Sequence, residues 1–202
     1  MEAPALLYLA GLVFSEALRL PRRVGRSRSR REWSRTSPAN RLPELLVLGA
    51  VFIGIWALPI AHVFTNWLKT WDYSLPAWAT WLGVIVFLVS LGIRWKAQRD
   101  LGGQWSYTLE TAEGHRLVTR GIYARLRHPI YTSLILWGAA QPLLLHNFAA
   151  GWSGAVAVVL IWFIRVPREE QLMLEEFGEE YRQYMARTGR WIPVRNPRRP
   201  AD

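Results

Sequence analysis

The chain has 202 residues, is 51% hydrophobic, contains 12 Trp and no Cys, and carries a formal net charge of +10. Without Cys it can form no disulfide scaffold and no thiolate zinc site, and it has no cysteine nucleophile. A mean hydropathy just above zero, combined with 25 Lys and Arg against 15 Asp and Glu, requires apolar and basic residues to occupy separate parts of the chain. Nucleic-acid binders with a basic face and multi-pass membrane proteins with basic loops have this pattern.

Uncharged stretches of about 20 residues, the length that crosses a bilayer as an α-helix, occur along the chain. Apart from Glu16, residues 3–18 are apolar, and residues 45–68 and 73–93 lack charge. The uncharged run 129–164 would be about 54 Å long as one helix, so it must fold back, and Pro142, His146 and Asn147 supply a turn. We therefore predict an all-α integral membrane bundle with five transmembrane helices, at 3–19, 44–66, 74–93, 129–145 and 148–165. A kink is expected at Pro59.

Basic residues fall almost entirely in alternate loops of this arrangement. Residues 19–41 carry nine Arg, residues 94–127 carry seven Lys or Arg, and the chain from residue 165 onward carries eight, which leaves only Lys69 for the other side. Because cytoplasmic loops are enriched in Lys and Arg, the N-terminus is predicted outside and the C-terminus in the cytoplasm. We expect the Arg-rich loop 19–41 to contact anionic lipid headgroups and not nucleic acid.

Tryptophans gather at both predicted membrane boundaries, as aromatic belts do. The outer belt would consist of Trp67, Trp71, Trp78, Trp81 and Trp152, and the inner one of Trp95 and Trp105.

Two predicted cytoplasmic segments, 94–128 and 165–202, are long enough to form a site. Pro129 suits the first turn of span four and places Arg127 and His128 at a helix N-terminus, where free backbone N–H groups attract anions. After span five, apolar residues recur at helical spacing with acids between them, which predicts a cytoplasmic amphipathic helix. It opens with Glu169-Glu170, at the same membrane depth as Arg127 and His128. This pairing indicates a functional site; helix capping and marking of the membrane boundary are the alternatives.

Several blocks in these segments resemble the isoprenylcysteine carboxyl methyltransferase and phospholipid methyltransferase family. In chain order they are Gly92-Ile93-Arg94, Leu101-Gly102-Gly103-Gln104-Trp105, Leu117 to Tyr123, Arg127-His128-Pro129-Ile130-Tyr131, Glu169-Glu170, Phe177-Gly178-Glu179-Glu180-Tyr181 and Arg190-Trp191-Ile192-Pro193. The resemblance covers residues 90–193, a methyltransferase-like core within a single membrane domain, 1–202. Residues 1–88 add compatible spans without a family motif.

The resemblance implies a membrane-embedded methyltransferase that uses S-adenosyl-L-methionine near the cytoplasmic boundary, without a metal. Carried over by position, the cofactor pocket would be lined by His115, Gly121, Tyr123, Arg127, His128, Pro129, Tyr131, Glu169 and Glu170. Arg94 matches the family's arginine near the reacting group and is the expected catalytic residue together with His128. Ser133 stands where the family usually has Gly.

The chemistry of these residue types suits that cofactor. Its ammonium could bind Glu169 or Glu170, and its carboxylate could bind Arg127 with His128. The sulfonium favours an aromatic face, for which the candidates are Tyr123, Tyr131 and Trp105. A carboxylate acceptor, positioned by Arg94, needs no general base, whereas an amine or a thiol must lose a proton, to His128, His115 or a Glu.

The residues do not decide whether the acceptor is a prenylcysteine-like carboxylate, a lipid amine or a thiol. By analogy with the family, the compact size and the short external loops favour a protein of a prokaryotic cytoplasmic membrane whose lipophilic acceptor enters sideways from the bilayer. Two other functions compete with this hypothesis. One is an NADPH-dependent membrane reductase of the sterol and steroid type, since those enzymes also carry a His-Pro-x-Tyr stretch. The other is a non-catalytic lipid-binding membrane protein.

Overall fold

The computed structural model describes residues 3–18, 41–102 and 117–193. Within these ranges the protein consists of helices joined by short turns, without a β-strand. The Arg-rich loop up to residue 40, together with His115 and Trp105, lies outside the described residues.

Seven α-helices make up the described part. They are α1 (Ala3–Ala17), α2 (Arg41–Phe52), α3 (Leu58–Phe64), α4 (Ala77–Leu101), α5 (Pro129–Leu145), α6 (Phe148–Leu160) and α7 (Val166–Arg187). Two π-helical turns, Ile53–Ala57 and Ile161–Arg165, connect α2 to α3 and α6 to α7, and two 3-10 turns lie at Lys69–Trp71 and Gly121–Ala124.

Three helical segments in the described residues are long and apolar enough to cross a membrane. They are Leu42–Phe64, Ala77–Leu101 and Phe148–Arg187, of 23, 25 and 40 residues. Ala3–Ala17 and Pro129–Leu145 are apolar but shorter. An all-helical membrane bundle is therefore confirmed, while the five spans and their orientation stay predictions.

The π-helical turn between α2 and α3 lies directly before Pro59. Proline has no N–H to donate and its ring collides with the carbonyl four residues earlier, here that of Ile55. The freed carbonyls find side-chain donors: Tyr8 Oη donates to Ile55 O at 2.8 Å, and Gln141 Nε2 donates to Gly54 O at 2.8 Å. The predicted irregularity at Pro59 thus takes the form of a π-helical turn held by α1 and α5.

An aromatic cluster joins α1 to the centre of the bundle. The rings of Tyr8 and Phe87 stack with centroids 5.6 Å apart, and Trp137 meets Phe87 edge-on at 4.7 Å. Trp137 Nε1 donates to Tyr8 Oη at 3.1 Å. A Cβ on Gly11 would lie 2.4 Å from the Phe87 ring, so only glycine lets α1 pack this closely against α4.

A tight turn joins α5 to α6, at the residues that the sequence indicated. Pro142 lies in the last turn of α5, and His146 adopts a left-handed backbone conformation, with φ of 48°. Asn147 caps α6, since its Oδ1 accepts the backbone N–H three residues later at 2.8 Å. Its Nδ2 also donates to Leu68 O and to Asp72 Oδ1, each at 2.7 Å. The fold-back predicted within residues 129–164 is therefore present.

The last membrane helix continues into the amphipathic helix without a break at Pro167, over Phe148–Arg187 with a kink at Gly178. The sequence predicted a span that ends at residue 165 and an amphipathic helix after it, whereas a π-helical turn precedes Pro167 and the helix runs on. A bend follows at Gly178, where φ is +52°. The amphipathic character is as expected: Tyr181 and Tyr184 are buried, and the acids of this helix on the opposite side, Glu175, Glu176, Glu179 and Glu180, are exposed.

The tryptophans of the predicted outer belt point away from the bundle. The five side chains are between 51% and 76% exposed, at Trp67, Trp71, Trp78, Trp81 and Trp152. Such exposure of large indole rings fits contact with lipid headgroups.

Candidate functional site: an ionic cluster at the start of α5 and α7

Three chain segments meet where α5 and α7 begin: the turn before α5, the first turns of α7 and the tail after α7. Their charged and polar side chains form what we call the ionic cluster, which consists of Arg127, His128, Tyr131, Arg165, Glu169, Glu170 and Arg190.

Backbone hydrogen bonds hold the tail against the turn before α5. Arg127 N donates to Gly189 O at 2.7 Å, and Gly189 N donates to Arg125 O at 3.1 Å. His128 N donates to Arg190 O at 3.3 Å. These bonds place Arg190 next to His128, so the tail supplies one of the cluster's cations.

Glu170 lies at the centre of the ionic cluster, with its side chain only 8% exposed. Its Oε1 accepts hydrogen bonds from Arg190 Nε at 3.0 Å and Arg127 Nε at 3.4 Å, and lies 3.1 Å from His128 Nε2. Its Oε2 accepts a further hydrogen bond from Arg190 Nη2. Arg190, at 42% exposed, is the most accessible of the three partners.

The surroundings of Glu170 keep its carboxyl ionised. Burial alone would raise its pKa, but hydrogen bonds and positive charge from His128 and Arg190 outweigh burial and lower the pKa from 4.5 to about 2. Both oxygens are already bound, so a ligand ammonium could reach Glu170 only by displacing a cation. Arg190 is the one with the shortest path to solvent.

Glu169 is the more accessible acid, with 25% of its side chain exposed. The Tyr131 hydroxyl donates to Glu169 Oε2 and accepts a hydrogen bond from Arg165 Nε at 2.9 Å. On its other side, Glu169 Oε1 lies 3.9 Å from His128 Nδ1. No arginine of the described residues forms an ion pair with Glu169, which leaves this acid available for a cationic ligand.

Arg127 is committed largely to the fold. Its Nη1 donates to the backbone carbonyls of Met185, at 2.8 Å, and Thr188, at the C-terminal end of α7. A guanidinium there satisfies carbonyls that lack helical partners and complements the negative end of the helix dipole. The sequence assigned Arg127 to a ligand carboxylate; in the structure it fastens α7 to the turn before α5.

Gly121 and Tyr123 line the contact between the end of α4 and α7. With φ of +63°, Gly121 lies so close to Asp100 that an added Cβ would be 2.2 Å from Oδ2. The same Oδ2 accepts the N–H of Ile122 at 2.8 Å. Tyr123 is buried, and its carbonyl accepts a hydrogen bond from Tyr184 Oη at 2.8 Å.

Aromatic rings cover one side of the ionic cluster. Trp191 stacks on Trp162 with centroids 3.9 Å apart and lies 5.9 Å from the His128 ring and 6.5 Å from the Tyr131 ring. Two buried donors here, Trp191 Nε1 and Arg168 Nη1, have no acceptor among the described residues. Buried donors are normally satisfied, so both could donate to acceptors that a ligand brings.

Arg94 and Ser133 both face the interior of the bundle. Arg94 is 3% exposed, so other parts of the bundle enclose its side chain. Ser133 is fully buried, and its carbonyl accepts a hydrogen bond from Ser90 Oγ at 2.8 Å. A residue larger than serine would push α5 away from α4 here. Pro129 occupies the first turn of α5, as predicted.

Sequence reasoning did not assign several members of the site. Arg190 and Trp191 belong to the closing motif block, and that membership was the signal that could have identified them. Arg165 is one of the cations that the sequence leaves as candidates for contact with a cofactor or acceptor, and nothing in the sequence singles out Trp162.

Fold and site together define a class: a multi-pass helical membrane protein with a polar site built between its last two long helices and its tail. Residues 81–175 match the model of the isoprenylcysteine carboxyl methyltransferase (ICMT) family. The chain is similar to protein-S-isoprenylcysteine O-methyltransferase A of Arabidopsis thaliana, with 29% identity over 59% of this chain and 61% of the relative. It is also similar to the human protein-S-isoprenylcysteine O-methyltransferase, with 33% identity over 56% of this chain and 42% of the relative.

A solved structure shares the fold. It is that of a eukaryotic intramembrane Ras methyltransferase, ICMT, with a TM-score of 0.51 and 24% identity over 80% of this chain and 54% of that one. These matches confirm the resemblance to the isoprenylcysteine carboxyl methyltransferase family that the motifs predicted. The chain spans about three fifths of the Arabidopsis relative, and the family match begins at residue 81, beyond α1, α2 and α3.

Proposed function

We propose that this protein is an S-adenosylmethionine-dependent methyltransferase that acts on a lipophilic acceptor of the prenylcysteine carboxylate type at the cytoplasmic membrane boundary. One observation carries the proposal: Arg127, His128, Tyr131, Glu169 and Glu170 all lie in the segment that matches the family and contact one another. The names of the relatives specify O-methylation of isoprenylcysteine, which favours a carboxylate over an amine or a thiol as the acceptor.

The residues present fit the amino-acid end of this cofactor. Glu169 would bind the ammonium, because it is more exposed than Glu170 and forms no arginine pair in the described residues. Arg190, which is partly exposed, and the unsatisfied Trp191 Nε1 would bind the carboxylate. When bound, the cofactor supplies an electrophilic methyl group on a sulfonium.

The protein's own contribution would be alignment and exclusion of water. His128 faces both acids, through Nε2 to Glu170 and Nδ1 to Glu169, and so fixes their spacing. Tyr131 and Tyr123 are proposed to offer aromatic faces to the sulfonium. Arg94 is proposed to position an acceptor carboxylate, which is already a nucleophile and needs no general base.

A binding experiment separates this function from its competitors. We expect S-adenosylhomocysteine to raise the melting temperature of the purified protein in detergent and to give a saturable calorimetric isotherm, while NADPH does neither. Stabilisation by NADPH alone would support a membrane reductase. No response to either ligand would support a non-catalytic protein.

Product chemistry then identifies the acceptor. The protein would be incubated with methyl-labelled cofactor and N-acetyl-S-farnesylcysteine, and the product treated with mild alkali. A methyl ester releases volatile labelled methanol under alkali, whereas methylated amines and thioethers do not. Label that remains bound to lipid after alkali would refute the carboxylate acceptor.

The proposed orientation can be tested because the chain has no Cys. Ser74, an exposed residue just before α4, and Gln183, an exposed residue of α7, would be replaced one at a time by Cys. A membrane-impermeant maleimide should label the Cys at 74 in intact cells and the Cys at 183 only after permeabilisation. The opposite pattern would contradict a cytoplasmic site, and with it the proposed contact of the Arg-rich loop with cytoplasmic headgroups.

A further inference from the structure

A buried acid from outside the family match reaches the ionic cluster. Glu44 lies in the first turn of α2, with its side chain 7% exposed. Its Oε1 is 3.8 Å from Arg165 Nη1, and the Arg165 side chain is 11% exposed. Two opposite charges at this distance and burial interact strongly, because little water screens them.

The Arg165 guanidinium bridges Glu44 to the acid pair of the site. Its Nε donates to the Tyr131 hydroxyl at 2.9 Å, and that hydroxyl donates to Glu169. The contacts therefore run from Glu44 through Arg165 and Tyr131 to Glu169, across α2, the π-helical turn before α7, α5 and α7.

The role of Glu44 follows from the charges that surround Arg165. A buried arginine needs a carboxylate, and two carboxylates of the described residues act on Arg165, Glu44 directly and Glu169 beyond the Tyr131 hydroxyl. While Glu44 supplies the negative charge, Arg165 can donate to the Tyr131 hydroxyl without pairing with Glu169. If Glu44 loses its charge, less of the Arg165 charge is balanced there and more of it acts on Glu169, the acid proposed to bind the ligand ammonium.

We propose that Glu44 is a positioning residue of the cofactor site: by pairing with Arg165 it keeps Glu169 free for a cationic ligand group. This inference rests on the proposed function, since it assigns the cation to the ammonium of the cofactor. The proposal also assigns a residue of α2 to the site, although the family match begins only at residue 81.

The experiment measures S-adenosylhomocysteine affinity by calorimetry, with melting temperature recorded in parallel. Glu44→Gln keeps the size of the side chain and removes its charge, and should weaken binding about tenfold, a coupling typical of contacting charged networks. Glu44→Asp keeps the charge and should bind within about threefold of the wild type. Glu179→Gln, which removes an acid from the exposed pair with Arg182, is the matched control and should change neither quantity.

A double mutant distinguishes positioning from a merely structural role. In an Arg165→Gln background the cation that would act on Glu169 is absent, so adding Glu44→Gln should weaken binding by much less than it does in the wild type. If Glu44→Gln does not fold, Arg165→Lys takes its place; it keeps the charge but lacks the planar fork that contacts Glu44 and Tyr131 together, and should show the same loss.

The outcomes separate the two proposals. If the wild type binds S-adenosylhomocysteine and Glu44→Gln binds equally well, the positioning role is wrong and the proposed function stands. A lowered melting temperature with unchanged affinity also overturns the positioning role. So does a loss of affinity from Glu44→Gln that is as large in the Arg165→Gln background as in the wild type. If the wild type itself does not bind, the proposed function fails and this inference fails with it.

Discussion

The two ends of the helical bundle hold their polar groups in different ways. At the turn between α5 and α6, Asn147 bonds to Leu68 O and Asp72, and Tyr73 Oη donates to Pro142 O at 2.7 Å. These bonds are short, and most of them use backbone carbonyls as acceptors. Their effect is to tie the loop between α3 and α4 to the turn between α5 and α6.

At the other end, the ionic cluster consists of long charged side chains that bond mainly to one another. Glu170 contacts Arg127, His128 and Arg190, whereas Glu169 forms no ion pair with an arginine of the described residues. The donor Trp191 Nε1 has no acceptor among the described residues. A buried nitrogen without a hydrogen-bond partner in the described part of the chain also occurs at the other end, His62 Nδ1 beside Asp72, so the pairing of charged side chains with one another is what distinguishes the ionic cluster. The difference favours a structural role for the turn between α5 and α6 and a ligand-binding role for the ionic cluster, so mutations at the two ends should separate melting temperature from affinity.

The largest expected effect comes from Glu170→Gln. Removing this charge leaves His128, Arg127 and Arg190 without their shared anion, and breaking a buried ion pair at one partner costs about 3 kcal/mol of the free energy of unfolding. We expect a clearly lower melting temperature in detergent together with loss of S-adenosylhomocysteine binding. Glu176→Gln, an exposed acid of the same helix, is the control. A variant that melts like the wild type would show that Glu170 does not organise the cluster.

Glu169→Gln should separate affinity from stability. This acid is partly exposed and forms no arginine pair in the described residues, so its neutralisation should barely change the melting temperature. Its proposed bond to the ligand ammonium is a charged interaction, and we expect calorimetric affinity for S-adenosylhomocysteine to fall at least about tenfold, or about 1.4 kcal/mol. Equal affinity in the variant and the wild type would move the ammonium site elsewhere.

Asn147→Ala should do the reverse at the opposite end. The substitution removes the cap of α6 and the bonds to Leu68 and Asp72, which together contribute about 2 kcal/mol to stability. Melting temperature should fall while S-adenosylhomocysteine affinity stays at the wild-type value. A large loss of affinity would mean that the two ends are coupled, and the comparison between them would fail.

The smallest effect is the pH dependence of Glu170. Its pKa is lowered in the folded protein from 4.5 to about 2, so its stabilising contribution is complete above pH 4.5 and is lost as the pH falls towards 2. Melting temperature measured between pH 7 and pH 3 should decline more steeply in the wild type than in Glu170→Gln. Parallel curves would show that another group governs acid sensitivity.

Much of the fold could be predicted because the signals are local. The run 129–164 is too long for one span and contains turn residues where α5 ends, and Pro129 suits a first helical turn. The continuous helix through Pro167 could not be predicted, since a proline fits either a helix start or an irregular helical turn, and only the packing of α6 and α7 selects the second.

The candidate site was predictable to the extent that it lies in motif blocks. His128, Tyr131 and the two glutamates were identified in this way, and the structure brings them together. The different roles proposed for Glu169 and Glu170 could not be predicted. The two acids are neighbours in sequence with identical chemistry, and they differ only in the groups that surround them. Glu44 could not be found either, since its partner Arg165 is 121 positions away in the sequence and the pair exists only once α2 packs against the last helices.

The bend at Gly178 sets the reach of the tail. Arg190 follows Glu170 by 20 residues, a separation of about 30 Å along a straight helix, yet the two side chains are bonded. A Cβ at position 178 would meet no neighbouring atom within 4 Å, so glycine is needed there only for its backbone, with φ of +52°. The return path of the tail therefore begins at a residue without a side chain and is completed by the extended backbone at Thr188 and the bonds of Gly189 and Arg190. A residue that favours a straight helix at position 178 would turn the end of α7, and with it Arg190 and the Trp191 ring, away from Glu170.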